Sequence, residues 1–210
     1  EVMEAAHEVG FHTTATIMYG HVEKLEHWAR HILRVRALQD KTGGFTEFVP
    51  LPFVHMEAPM YLKGKARKGP TFREAILMHA VARLALHGKI ENIQTSWVKM
   101  GHEGVRACLN AGCNDLGGTL MNESISRAAG TQHGQETSPR QMQNIIRRLN
   151  RDPRQRSTAY GAVNQERIKA GQSQVELLEI VNTPAKKYER KTPSEELIRN
   201  AVRSIEPGRR

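Results

Sequence analysis

Four short segments hold residues whose types could bind or position a reactant. Tyr19-Gly20-His21-Val22-Glu23 joins a glycine to a carboxylate. Gly20 allows close backbone approach to a ligand. Glu23 is suited either to a ligand or to the dipole of the helix that follows. Pro50-Leu51-Pro52-Phe53-Val54-His55 is stiffened by two prolines, with Phe53 suited to cover a planar ring and His55 to serve as a base or a hydrogen-bonded structural residue. In Ser96-Trp97-Val98-Lys99-Met100-Gly101, Lys99 is a counter-ion for a carboxylate or phosphate, or a solvated cation. In Asn114-Asp115-Leu116-Gly117-Gly118-Thr119, the paired glycines free the backbone to approach an anion or a polyol, and Asn114 and Asp115 offer polar groups to amide-like edges. Glu123, Ser124 and Arg127 follow in a polar stretch able to close over a ligand.

Metal chemistry finds no support in spacing. His27 and His31 share a helix face, but no zinc-protease signature surrounds them. Cys108 and Cys113 match no common zinc or iron–sulfur pattern.

The elements that must hold these segments alternate. Residues 13–18 (TTATIM) form a short β-branched run, and a strand is expected there. Leu25, Trp28, Ile32, Leu33 and Val35 recur at near-helical spacing ahead of Gly43-Gly44. Residues 45–49 form the next strand, followed by a long loop over 50–70. Thr71 and Glu74 make a capping box that opens a helix to about Leu86. A third strand is expected over 92–97, a helix over 103–111 and a fourth strand over 114–116. Ser138, Pro139 and Gln141 start a further helix, running to about Leu149. A helix over 1–9 precedes all of these. Helices over 165–182 and 193–205 are weaker expectations.

Four βα units in succession imply parallel strands with helical crossovers, in a doubly wound sheet or a barrel. Strand polarity favours the barrel. Asn92, Gln94 and Ser96 share one face by alternation, and Glu47 lies mid-strand between Phe45 and Val49. A sheet covered by apolar helices on both faces would bury these groups at a cost, whereas a barrel interior can use them. The expected fold class is therefore a parallel α/β barrel of the TIM type. The chain divides into a barrel portion of about four βα units over residues 1–156, which the resemblance given below makes the C-terminal half, and a polar, basic extension over 157–210.

The bulk properties narrow the function classes. The chain has 210 residues and 39% hydrophobic content, and no apolar run reaches the roughly 20 residues that span a bilayer. Net charge is +9, of which residues 147–210 carry +7, with 15 Lys and Arg against 8 Asp and Glu. That stretch has few aromatics to stack on bases, so a solvated basic tail is favoured over a nucleic-acid surface. Two cysteines are too few for a disulfide framework and point to a reducing, cytoplasmic setting.

The order of the loops carries a resemblance. TTATIMYGHVE (13–23), GGFTEFVPLPFVHMEAP (43–59), KGPTFREAILMHAVARL (68–84), NIQTSWVKMG (92–101) and AGCNDLGGTLMNESISRAAG (111–130) resemble the radical S-adenosylmethionine FO synthase family. They are most similar to its hydroxybenzyl-transferring subunit, or the C-terminal half of the fused enzyme, over about residues 1–160. The superfamily pattern G-x-I-x-G-x-x-E falls on Thr16, Met18, Gly20 and Glu23. Thr16 stands for the first glycine and Met18 for the isoleucine, while Gly20 and Glu23 match. The resemblance assigns Gly20 and Glu23, with Tyr19 beside them and the backbone near Val54, to S-adenosylmethionine. It assigns the loop 114–119 to substrate. Glu47, Gln94 and Ser96 suit a polyol and a pyrimidine edge.

The chemistry so implied is reductive cleavage of S-adenosylmethionine by a 4Fe-4S cluster. Hydrogen abstraction from L-tyrosine follows, and then transfer of its hydroxybenzyl group to 5-amino-6-(D-ribitylamino)uracil. The family holds its cluster with C-x-x-x-C-x-x-C, which this sequence lacks. The expectation is therefore that the chain is inactive alone and works with an N-terminal barrel half, on a longer polypeptide or a partner subunit. A related enzyme of the futalosine route to menaquinone is the runner-up. A non-catalytic binding or scaffold protein with a basic tail is the reading from a different class.

Overall fold

The computed structural model describes residues 1–120 and 122–173. Helix α1 (Val2–Glu8) leads into β1 (Thr13–Tyr19), whose side chains alternate strictly between buried and exposed. Helix α2 (Leu25–Thr42) buries Trp28, Ile32 and Val35, and Gly43 ends it in the left-handed conformation at φ 65°. The expected apolar partners Leu25 and Leu33 face outward, 63% and 57% exposed, because the stripe that meets the sheet is narrower than the run of apolar letters.

Strand β2 (Phe45–Pro52) extends three residues beyond the expected end and is almost wholly buried. The short helix α3 (Pro59–Leu62) occupies part of the expected loop. Helix α4 (Phe72–Leu86) opens on the expected capping box. Thr71 Oγ1 accepts from Glu74 N at 3.2 Å, and Glu74 Oε2 accepts from Thr71 N at 2.7 Å. Strand β3 (Asn92–Ile93) precedes α5 (Trp97–Asn110). After these come α6 (Ile125–Ala128), α7 (Pro139–Arg147) and α8 (Gln165–Gln172). The capping box of α7 pairs Ser138 with Gln141, as its residue types dictate.

The three strands are parallel in the order β1-β2-β3. Strands laid down in sequence order by right-handed crossovers place every crossover helix on the same face. Helices α2, α4 and α5 lie there, closing over Ala15, Ile17, Tyr19, Phe48 and Ile93. Thr14, Thr16 and Met18 lie on the opposite, exposed face of β1. This one-sided winding is common to a barrel and to one half of a doubly wound sheet.

The third and fourth expected strands shrink. Residues 94–97 leave β3 after Ile93, and Trp97 is the first residue of α5 rather than a strand residue. The stretch 114–116 contributes one bridge, Gln94 to Asp115. Asn114 causes this. Its side-chain oxygen accepts from Ile93 N at 2.9 Å, taking the place of a backbone carbonyl from a neighbouring strand. The expected helix over 103–111 is the later part of α5. A first turn from Trp97 is joined to it across Gly101, where the backbone is non-helical (φ 63°, ψ 175°). Of the expected helix over 165–182, the part to Gln172 is seen; the rest, and all of 193–205, lie outside the described residues.

Candidate functional site

The exposed face of the sheet carries a ladder of polar side chains in lateral register. β1 and β2 align Thr14 with Glu47, so both point to the same face. Thr14 Oγ1 donates to Glu47 Oε1 at 2.9 Å, and Gln94 Nε2 donates to Glu47 Oε2 at 2.7 Å. One strand position further, Asp115 accepts from Gly117 N at 2.7 Å. Arg156 then reaches in from beyond α7. Its Nη2 donates to Asp115 Oδ1 at 2.9 Å, its Nε donates to Asp115 Oδ2, and it lies 3.9 Å from Glu47. The Tyr160 hydroxyl donates to Glu47 Oε2, and its ring lies 4.0 Å below the Arg156 guanidinium. Asp115 first, with Glu47 adding to it, pushes the Arg156 pKa further up despite partial burial.

A cavity of about 1170 Å³ opens beside this ladder. Thr14, Glu47, Gln94, Asp115, Gly117 and Thr119 are among its walls, with Asn114 and Gly118. Glu47, Gln94, Asp115, Gly117, Gly118 and Thr119 are thus brought together. Ser96 sits half-buried at the N-cap of α5, outside those walls. Asn114 borders the cavity, but its amide is committed elsewhere: Nδ2 donates to Glu91 O at 3.0 Å, and Oδ1 accepts from Ile93 N and Arg83 Nη2. The two glycines also differ. Gly117 has φ 71°, and a Cβ there would stand 2.8 Å from Gln94 Oε1, so what its backbone approaches is this chain's own amide. A Cβ on Gly118 would meet open space, and its carbonyl accepts from Trp97 Nε1 at 2.9 Å.

The turn 19–23 and Val54 stand apart from the cavity, at the C-terminal ends of β1 and β2. Glu23 folds back on its own turn. It accepts from Gly20 N, from His21 N and Val22 N at 3.0 Å each, and from Trp28 Nε1 at 2.7 Å. Burial works to raise its pKa, but the donors from Gly20, Trp28 and His21 outweigh it and hold the carboxyl at about 2. Tyr19 turns to the helix-covered side, fully buried with its ring edge-on to Trp28, so of this residue only the backbone is available at the strand end. Its carbonyl accepts from Phe53 N at 2.8 Å. Val54 is half-buried two residues past β2. Lys99 is half-buried, donates to Ser126 Oγ at 3.3 Å and has its pKa lowered by burial, against the pull of Glu123.

The two cofactor groups implied by the resemblance fare differently against these residues. Cys108 and Cys113 are free thiols buried under the helices, on the far side of the sheet from the polar ladder. The exposed face therefore offers an iron–sulfur cluster no thiolate. The strand-end turn does suit an adenosyl group: Met18 and Val22 are exposed apolar side chains (54% and 58%) beside a fixed carboxylate.

Thr14, Arg156 and Tyr160 complete the ladder and were not among the expected site residues. Alternation along β1 points to Thr14, two residues before Thr16 on the same face. No local pattern points to Arg156 or Tyr160.

A parallel α/β sheet with helices on one face and converging polar side chains on the other defines an α/β protein with a polar cavity beside its sheet. Residues 42–168 match the family described as the CofH/MqnC C-terminal region, and the chain belongs to that family. It is 54% identical over 164 residues to an FO synthase of Nocardia farcinica, covering 78% of this chain and 19% of that protein. Against an FO synthase of Streptomyces coelicolor it is 50% identical over 170 residues, 81% of this chain and 20% of the relative. A 5-amino-6-(D-ribitylamino)uracil–L-tyrosine 4-hydroxyphenyl transferase of Methanocaldococcus jannaschii is 46% identical over 159 residues, 76% of this chain and 44% of the transferase. The chain spans about a fifth of these FO synthases and less than half of the transferase.

Proposed function

We propose that this chain is the C-terminal half of a TIM-type barrel that transfers the 4-hydroxybenzyl group of L-tyrosine to 5-amino-6-(D-ribitylamino)uracil, a step in building the deazaflavin FO. The observation that carries the reading is the 46% identity, over 159 residues, to a transferase named for those two substrates. The one-sided sheet supports the barrel, since such winding continued by further βα units closes on itself. We assign residues 1–156 to the half-barrel and 157–210 to an extension whose first residues border the cavity.

S-adenosylmethionine, when bound to a 4Fe-4S cluster, supplies the radical that starts such a reaction. The cluster ligands come from an N-terminal barrel half, on the same polypeptide or on a partner subunit. Gly20 and Glu23, with Tyr19 beside them, and the backbone near Val54 form the cofactor side. Glu23 presents a carboxylate whose orientation is set by four donors, so it needs little reorganisation to meet a cationic group. Glu47, Gln94, Ser96 and the loop 114–119 form the substrate side. Their part is to hold the two reactants in register and exclude water. The free, buried thiols fit a reducing, cytoplasmic setting.

The test is anaerobic incubation of the protein carrying this chain, joined to its cluster-binding half and loaded with iron and sulfide. The mixture also contains reductant, S-adenosylmethionine, L-tyrosine and the ribitylaminouracil. The expected result is a hydroxybenzyl adduct of the uracil by mass spectrometry. No adduct from cluster-loaded protein, or turnover of futalosine-type substrates instead, overturns the reading.

A further inference from the structure

Residues 156–162 form a tight hairpin. Arg156 and Ala162 are bridged antiparallel, Ser157 N donates to Gly161 O at 2.9 Å, and Tyr160 N donates to Ser157 O at 3.1 Å. Gly161 N also donates to Ser157 Oγ at 3.0 Å. At its tip Tyr160 has φ 61°, a left-handed conformation that is costly for a bulky aromatic residue. Such a conformation persists where the surroundings over-determine it. Here they do so through the side chain. The Tyr160 hydroxyl is seated on Glu47, and its ring is stacked under Arg156, which grips Asp115 with two bonds.

With the hairpin in place, both oxygens of each carboxylate are engaged by this chain. Thr14 takes one oxygen of Glu47; Gln94 and Tyr160 take the other. Arg156 and Gly117 N take those of Asp115. An incoming hydroxyl would have to displace a bidentate guanidinium–carboxylate pair, the stronger kind of polar contact. The amide of Gln94 is fixed in turn. Its Nε2 is held by Glu47, which leaves Oε1 directed at Gly117.

We propose that Tyr160 and Arg156 are positioning residues. The hairpin 156–162 is the fixed floor of the substrate side, locking Glu47 and Asp115 and, through them, the Gln94 amide and the loop 114–119. The uracil substrate then meets the loop 114–119, not the two carboxylates. This rests on the functional reading above, which gives the cavity its occupant. The charged groups facing the Tyr160 hydroxyl are Glu47, Asp115 and Arg156. Burial, followed by the bond to Glu47, pushes its pKa above the usual tyrosine range, so it stays a proton donor at any working pH.

The test uses the protein carrying this chain together with its cluster-binding half. Tyr160→Phe is expected to raise KM for the ribitylaminouracil about tenfold, the equivalent of one lost charge-assisted hydrogen bond, with kcat and the tyrosine KM held within about twofold. Arg156→Lys is expected to act in the same direction. An unchanged uracil KM, or a loss shared equally by both substrates, overturns the proposal. A second readout does not need turnover. With 3-fluorotyrosine at position 160, the fluorine resonance is expected to titrate above free fluorotyrosine and to move back towards it in Glu47→Gln. Titration like the free amino acid overturns the lock. If the wild type yields no adduct, the functional reading falls, and the fluorine titration alone decides whether the hairpin is seated.

Discussion

Replacing Glu23 with glutamine removes a charge that four donors in its own neighbourhood are arranged to receive: three backbone N–H groups of the turn and the Trp28 indole. The carboxyl is held at about 2 in the folded chain, against an ordinary value of 4.5. That gap corresponds to about 3 kcal/mol of stability at neutral pH by linkage. The side chain keeps 13% exposure, and solvent competes for some of these bonds, so about 2 kcal/mol is the expected loss in Glu23→Gln. The sign follows from a folded pKa lying below the unfolded one. The contribution is fully present above pH 4.5 and is lost as pH falls from 4.5 through about 2. Urea titrations followed by tryptophan fluorescence, run from pH 7 down to pH 3, measure it. The stability gap between wild type and variant should hold constant down to about pH 5 and then narrow. A gap below about 0.5 kcal/mol at pH 7, or one that does not narrow between pH 5 and 3, would refute the reasoning.

Three further outcomes follow from packing. Gly20→Ala places a Cβ 2.2 Å from Pro70 Cδ at φ 94°, and should cost at least about 2 kcal/mol in thermal unfolding; an unshifted midpoint contradicts the contact. Arg156→Ala leaves the Asp115 side chain, 9% exposed, without its guanidinium and should cost about 3 kcal/mol in urea. Arg156→Lys should recover less than half of that, because an ammonium cannot make the two-pronged contact; full recovery would show that charge alone suffices. Cys108 and Cys113, 0% and 1% exposed, should resist alkylation in the folded protein and label fully in urea, as read by peptide mass mapping.

Much of the scaffold was legible because its signals are local. The Thr71–Glu74 and Ser138–Gln141 capping boxes, the left-handed Gly43 and the alternation of residues 13–19 each depend on neighbours a few positions away. Glu47 was legible as a polar residue on a strand that should be apolar. The extent of the third and fourth strands was not legible, and neither was the exchange by which the Asn114 side chain takes the place of a backbone acceptor at Ile93. Tyr19 illustrates what a motif alone leaves open. Its place in the family pattern suggested a cofactor neighbour, but its odd position on β1 sends the ring under the helices.

The sequence by itself determined where β1, β2, α4 and α7 begin, that β2 carries a polar group at Glu47, and the family to which the chain belongs. Only the tertiary structure decided who meets whom on that polar face. Glu47 finds its partner in Tyr160, 113 residues further on, and Asp115 finds Arg156 across 41. Propensity, capping and alternation act between near neighbours along the chain. A carboxylate takes whichever donor the folded path brings to it, and that path is set by the packing of α5 and α7 and by the hairpin that follows, features with no periodicity to read.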